Sequence, residues 1–185
     1  VNLDAWMSSS THIQHIYNRY GEQADACIIE GSAALFDGYR RMQGSSAEIA
    51  GILNLPVILL VNARMAGYSV APLLYGYKHF YSGVHIAGVI FNQVSSPAHY
   101  AYLREACSDT GLDCLGYLPV IEEVKLSSKH NAISLANRRT LAEQASIVAS
   151  QIEKSIDINR MLNRCNRNFP CQYTLPYYSD AEDDM

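Results

Sequence analysis

Apolar residues along this chain fall into two kinds of run, and their alternation predicts the order of its elements. Four short apolar runs, at 26–29, 57–61, 84–91 and 114–118, have the length of strands in a parallel sheet, and the run at 57–61 is unbroken, as in a strand buried on both faces. Between and around them the apolar positions recur at helical spacing instead. Residues 8–20 open with serines able to cap a helix and continue with Ile13, Ile16, Tyr17 and Tyr20 before Gly21. Gly44, Ser45 and Ser46 precede Ala47, Ile49, Ala50, Ile52 and Leu53, with Glu48 in the first turn, where an acid favours a helix. Ser69 leads into Val70, Leu73, Leu74, Tyr77 and Phe80, while Pro97 suits the first turn of a helix faced by Tyr100, Leu103 and Ala106 and stopped by Gly111. A last helix is expected over 137–156, capped by Asn137, with Leu141, Ala145, Val148 and Ile152 on one stripe.

Strands alternating with helices through short loops predict parallel βαβ units with right-handed crossovers. The fold class is therefore α/β, a three-layer, mostly parallel sheet with helices on both faces. Parallel strands point their carboxyl ends one way, so Glu30, Asn62, Asn92 and Pro119 should line one rim, where such sheets place ligands. In the loop that follows Glu30, Gly31 comes first and an Asp37–Gly38 pair closes it. Two carboxylates around a glycine-containing loop suit a hard cation such as Mg²⁺, and the free N–H groups of the helix start at Ser45 and Ser46 could hold an anion. Trp6 and Met7 read as core. From Asn163 onward periodicity is lost, and the chain ends in an acidic stretch of linker composition.

Composition narrows the classes of function. With 185 residues, 49% of them hydrophobic, the chain can bury a full core. A formal net charge of -4 leaves no electrostatic footprint for nucleic acid, so no nucleic-acid partner is expected. No apolar run approaches a membrane span and no signal-peptide pattern opens the chain, which predicts a cytoplasmic protein without a membrane partner. Cys27, Cys107 and Cys114 sit in or beside apolar segments as small buried hydrophobes, and Cys165 and Cys171 lack zinc-site spacing; a reducing compartment fits. His12 and His15 on the first helix read as surface residues rather than metal ligands.

Several strings, in this order, resemble the cobyrinic acid a,c-diamide synthase family. They are Asn2-Leu3-Asp4-Ala5-Trp6-Met7, Glu30-Gly31 through Leu35-Phe36-Asp37-Gly38, Gly44 to Ala50, Ala87 to Asn92, and Leu115-Gly116-Tyr117-Leu118-Pro119. The resemblance runs from Asn2 to about Leu162 and implies a P-loop NTPase-like fold shared with dethiobiotin synthetase. It also implies an ATP- and Mg²⁺-dependent enzyme of cobalamin biosynthesis that amidates two side-chain carboxylates of a corrinoid substrate. ATP would phosphorylate each carboxylate, and ammonia released from glutamine by a glutaminase domain of the same protein would displace phosphate. By the family's motifs Glu30 is the Mg²⁺ ligand and Asp37 positions or activates the substrate carboxylate. Asn92 and Pro119 contact the adenine, and Gly38, Ser45 and Ser46 lie on the substrate side.

Departures from the family pattern fall at Ser32, Ala33 and Ala34 in the middle of the loop, at Asn62 in place of aspartate, and at Lys129 before His130 in place of arginine. An arginine making a bidentate contact is not replaced conservatively by lysine. No GxxxxGK[ST] phosphate loop occurs in the 185 residues. The expectation is thus a partial ATP- and corrinoid-binding domain over 1–162, lacking the N-terminal phosphate-loop strand, then a linker over 163–185 toward an absent glutaminase domain. Such a sheet would have an open edge beside residues 26–29, which predicts a homodimer. A cobyric acid synthase-like amidase and a partitioning-ATPase-type scaffold are the alternatives, and the NLDxWM and LFDG strings favour the first reading.

Overall fold

The computed structural model describes residues 1–122, 124 and 138–166. The expected roles of Lys129, His130 and Asn137, and the linker from 167, fall outside the described residues. The chain forms two compact units, Val1–Leu55 and Pro56–Asn166.

In the first unit two helices pack together, α1 (Ser10–Gly21) and α2 (Ser46–Leu53). Each is started by a serine: Ser9 Oγ accepts from His12 N and Ser45 Oγ accepts from Glu48 N, which satisfies a donor the helix cannot. Ile13 and Tyr17 of α1 meet Ile49 and Leu53 of α2, and Leu3, Ala5, Ile52 and Leu55 close around them. The predicted helices are confirmed here, but two other expectations are not.

Residues 26–29 form no strand, and Ile28 is 92% exposed. Apolar, β-prone residues become a strand only against a ladder partner, and among the described residues none pairs with this segment. Cys27 is accordingly exposed rather than buried, and the dimer argument from an edge at this segment loses its strand. Trp6 and Met7, expected in the core, are 69% and 74% exposed. Asp4 Oδ1 accepts from the N–H groups of Trp6 at 2.8 Å and Met7 at 3.2 Å, a turn that leaves Leu3 and Ala5 to face the core.

The second unit is an open parallel sheet in the order β1-β2-β3, with β1 at Pro56–Asn62, β2 at His85–Val94 and β3 at Cys114–Pro119. Helix α3 (Val70–His79) connects β1 to β2, and α4 (Pro97–Thr110) connects β2 to β3. Two right-handed crossovers stepping the same way across a sheet put both helices on one face. Val70, Ala71 and Leu74 of α3 and Leu103, Ala106 and Cys107 of α4 are their buried apolar residues. Leu73 and Phe80, read as part of the α3 stripe, are exposed. Helices α5 (Arg138–Ser155) and α6 (Ile158–Arg164) cover the other face, where Ile152 and Met161 pack on Ile90, Leu115 and Ile156.

Side chains alternate across a strand, so Ile90 belongs to that second face and Val89 and Phe91, both fully buried, to the first. The observed α/β architecture is the P-loop NTPase-like class expected from the sequence. Helix α4 ends as predicted on Gly111, at φ 63°. Asp157 N donates to Leu115 O at 2.8 Å, and Arg160 and Arg164 of α6 both pair with Asp113 at the entry to β3.

Candidate functional site

In the first unit, everything between Glu30 and α2 is one self-bonded loop. Asp37 N donates to Ala34 O at 3.0 Å, Gly38 N to Arg41 O at 2.8 Å and Tyr39 N to Gln43 O at 3.0 Å. Ala47 N in the first turn of α2 donates to Leu35 O at 2.9 Å, so the helix holds the middle of the loop. Two glycines permit this closure. A Cβ on Gly38 would lie 2.0 Å from Gln43 O and 2.9 Å from Arg41 O, both rigid backbone atoms. On Gly31 it would lie 2.6 Å from Ser46 Oγ. Gly38 is thus set by close backbone approach and Gly31 by the Ser46 side chain, and the loop that carries Asp37 depends most on Gly38.

Both carboxylates singled out in the sequence, Glu30 and Asp37, are exposed. Neither accepts a hydrogen bond from a described residue, which leaves their oxygens available to a cation or a substrate proton. Among the described residues no three His, Cys, Asp or Glu side chains cluster as a complete metal cage. One or two carboxylates are what Mg²⁺ ordinarily takes from protein when phosphates and waters complete its shell.

The α2 start differs from the anion seat expected of it. Glu48 Oε2 accepts from Gly44 N, Met42 O from Ser45 N and Leu35 O from Ala47 N, so these donors are already engaged within the loop. Ser45, 1% exposed, serves as the helix cap, and Ser46 sits half-buried against Gly31. Replacing Ser45 with Ala should therefore cost about 0.5–2 kcal/mol of stability through the lost cap. Urea unfolding of the variant checks this, and an unchanged midpoint would refute it. Beside the loop, Trp6 and Tyr39 hold exposed rings with centroids 6.3 Å apart at 58°, and Arg40 and Arg41 follow them on the surface.

In the second unit the sheet brings three of the predicted rim residues together. Asn62 of β1 is in register with Asn92 of β2, Asn92 with Leu118 of β3, and Val94 with Pro119. Asn92 lies inside β2 rather than just after it; its Oδ1 accepts from Gln93 N at 2.9 Å, with Gln93 at φ 62°. Asn62 Oδ1 accepts from Arg64 N at 3.0 Å. Glu30 follows no strand and belongs to the first unit, so the fourth rim position is not supplied by this sheet.

His99, which the sequence reading passed over, ties two of the rim loops. Its Nδ1 accepts from Ser95 N at 3.2 Å, which leaves Nε2–H to donate to Ala66 O at 2.6 Å, joining the turn after β1 to the start of α4. Its only sequence signal is the Ser96 cap three residues earlier.

Comparison with known proteins agrees with this architecture. The family described as AAA domain matches residues 4–128. Over 162 residues the chain is 32% identical to the cobyrinate a,c-diamide synthase of Saccharolobus solfataricus, covering 87% of this chain and 37% of that protein. Identity to the cobyrinate a,c-diamide synthase of Caldanaerobacter subterraneus subsp. tengcongensis is 34%, over 88% of this chain and 37% of the relative. For the protein of the same name from Gloeobacter violaceus it is 37%, over 88% and 36%. The chain thus spans little more than a third of the length of these curated relatives. No solved structure matches it. These relatives bear out the resemblance read from the motifs, and the match over 4–128 shows that the chain belongs to the AAA domain family.

Proposed function

We propose that residues 1–162 form the ATP- and corrinoid-binding part of a ligase of cobalamin biosynthesis. The ligase converts the a and c side-chain carboxylates of cobyrinic or hydrogenobyrinic acid to amides with glutamine-derived ammonia. Residues 163–185 link this part to a glutaminase domain of the full-length protein, which works in the cytoplasm. The observation that carries the reading is the likeness to cobyrinate a,c-diamide synthases over 87% or more of the chain, loop motif included. Among the described residues no helix is long and apolar enough to cross a membrane.

A carboxylate is a poor acyl donor, and MgATP, when bound, supplies the phosphoryl group that makes it a good one. The chain's own residues bind and orient. Glu30, exposed and without a partner among the described residues, is the Mg²⁺ ligand, and Asp37, held by a loop that Gly38 allows to close, positions the reacting carboxylate. Ser46 borders the substrate, and Ser45 acts through the cap that fixes α2. Asn92 reads the adenine with Pro119 beside it, at the rim where parallel sheets place nucleotides. Trp6 and Tyr39 give a flat macrocycle an aromatic surface, and Arg40 and Arg41 pair with its peripheral carboxylates.

The test is direct. The full-length protein, given cobyrinate, glutamine, ATP and Mg²⁺, should yield the diamide by mass spectrometry, with none formed when ATP is omitted. Amidation that proceeds without ATP, or none with all four present, would overturn the reading.

A further inference from the structure

Where Asn62 and Asn92 lie in register, the chain closes into a ring of hydrogen bonds completed by one imidazole. Ala63 N, just past β1, donates to Asn92 O at 2.8 Å, and Ala66 N turns back to Ala63 O at 3.0 Å. Ala66 O accepts from His99 Nε2–H at 2.6 Å. His99 Nδ1, left as an acceptor by that bond, takes Ser95 N–H at 3.2 Å and the Ser95 hydroxyl at 3.0 Å. Gln93 and Val94 then join Ser95 to Asn92, and the ring is complete. The imidazole is itself placed by the start of α4, where Ser96 Oγ accepts from His99 N at 3.1 Å.

The segment inside this ring is one that the sheet does not hold. Register between β2 and β3 shifts between Asn92 and Val94, which leaves Gln93 outside the ladder. Gln93 also sits at φ 62°, a left-handed backbone that a residue other than glycine adopts at a cost. Such a conformation persists only where its surroundings over-determine it. Asn92 Oδ1, bonded to Gln93 N at 2.9 Å, holds it from one side. From the other, the loop is held through Ser95 by His99, whose second bond fastens it to the turn after β1.

We propose that His99 is a positioning residue for the nucleotide: by tying Ser95 to Ala66 O it fixes the place and angle from which Asn92 meets the base. This rests on the reading of Asn92 as the adenine contact. His99 acts through Asn92 and the Gln93–Ser95 segment. Two substitutions divide its bonds. Glutamine carries a terminal amide donor long enough to meet Ala66 O, whereas asparagine, one methylene shorter, keeps an acceptor for Ser95 N–H and falls short of Ala66 O.

Steady-state kinetics of the full-length protein, with ATP, cobyrinate and glutamine varied in turn, test this beside thermal melts. His99→Ala should raise the KM for ATP about three- to tenfold, the worth of one hydrogen bond, with kcat and the other two KM values unchanged. His99→Gln should restore most of the affinity for ATP, and His99→Asn should not. An unchanged KM for ATP in His99→Ala, rescue by asparagine but not by glutamine, or a loss spread over all three substrates with a lowered melt would overturn the proposal and leave the reading of Asn92 intact. Amidation by the unsubstituted protein without ATP would overturn both.

Discussion

In the full-length enzyme, Glu30→Gln is expected to lower Mg²⁺-dependent amidation about 10²- to 10³-fold, the usual loss when one charge-stabilising group is removed from a reacting phosphoryl centre. The substitution keeps the shape of the side chain and removes its charge. Because Glu30 is exposed and accepts no hydrogen bond from a described residue, stability should move by no more than about 0.5 kcal/mol. Raising Mg²⁺ should recover part of the rate, since the defect lies in holding the cation. Turnover measured across a Mg²⁺ titration, beside a thermal melt, separates the two roles. A variant with normal turnover at limiting Mg²⁺ would remove Glu30 from the site, and one with a collapsed melt would make it structural.

Phe91→Ala should cost about 3–5 kcal/mol, a large part of the roughly 5–15 kcal/mol that holds a domain folded. Phe91 is 0% exposed on the middle strand of the sheet, in register with Val61 and Tyr117 on either side. Truncation leaves a cavity that strands hydrogen-bonded on both sides cannot readily close. The next residue gives the contrast. Asn92, on the opposite face and half-buried, should lose only about 0.5–1.5 kcal/mol on substitution by Ala, through its bond to Gln93 N. Urea unfolding of the two variants should show a much lower midpoint for Phe91→Ala and a small shift for Asn92→Ala. Equal midpoints would contradict the assignment of Phe91 to the core.

What the sequence conveyed well was whatever depends on local pattern. Runs at 57–61, 84–91 and 114–118 became strands, and Ser45, Pro97 and Gly111 mark helix ends in the structure as they do in the sequence. The rim of Asn62, Asn92 and Pro119 followed from parallel pairing alone. Failures arose where a distant partner decides the outcome. Residues 26–29 have strand propensity and no ladder, while Trp6 and Met7 have core-like side chains turned outward by an Asp4 turn that hydropathy does not register. His99 reaches Ala66, 33 positions away, a contact that no local pattern announces. The loop at Gly38 lay between these cases: the motif flagged it, but only the structure gave the reason, a backbone carbonyl where a Cβ would be.

Oxygen-18 tracing is the most direct test of corrinoid amidation through an activated carboxylate. Cobyrinate labelled in its a and c carboxylates, turned over by the full-length enzyme with ATP, Mg²⁺ and glutamine, should pass one labelled oxygen into inorganic phosphate for each amide formed. Diamide formation with phosphate free of label would contradict it.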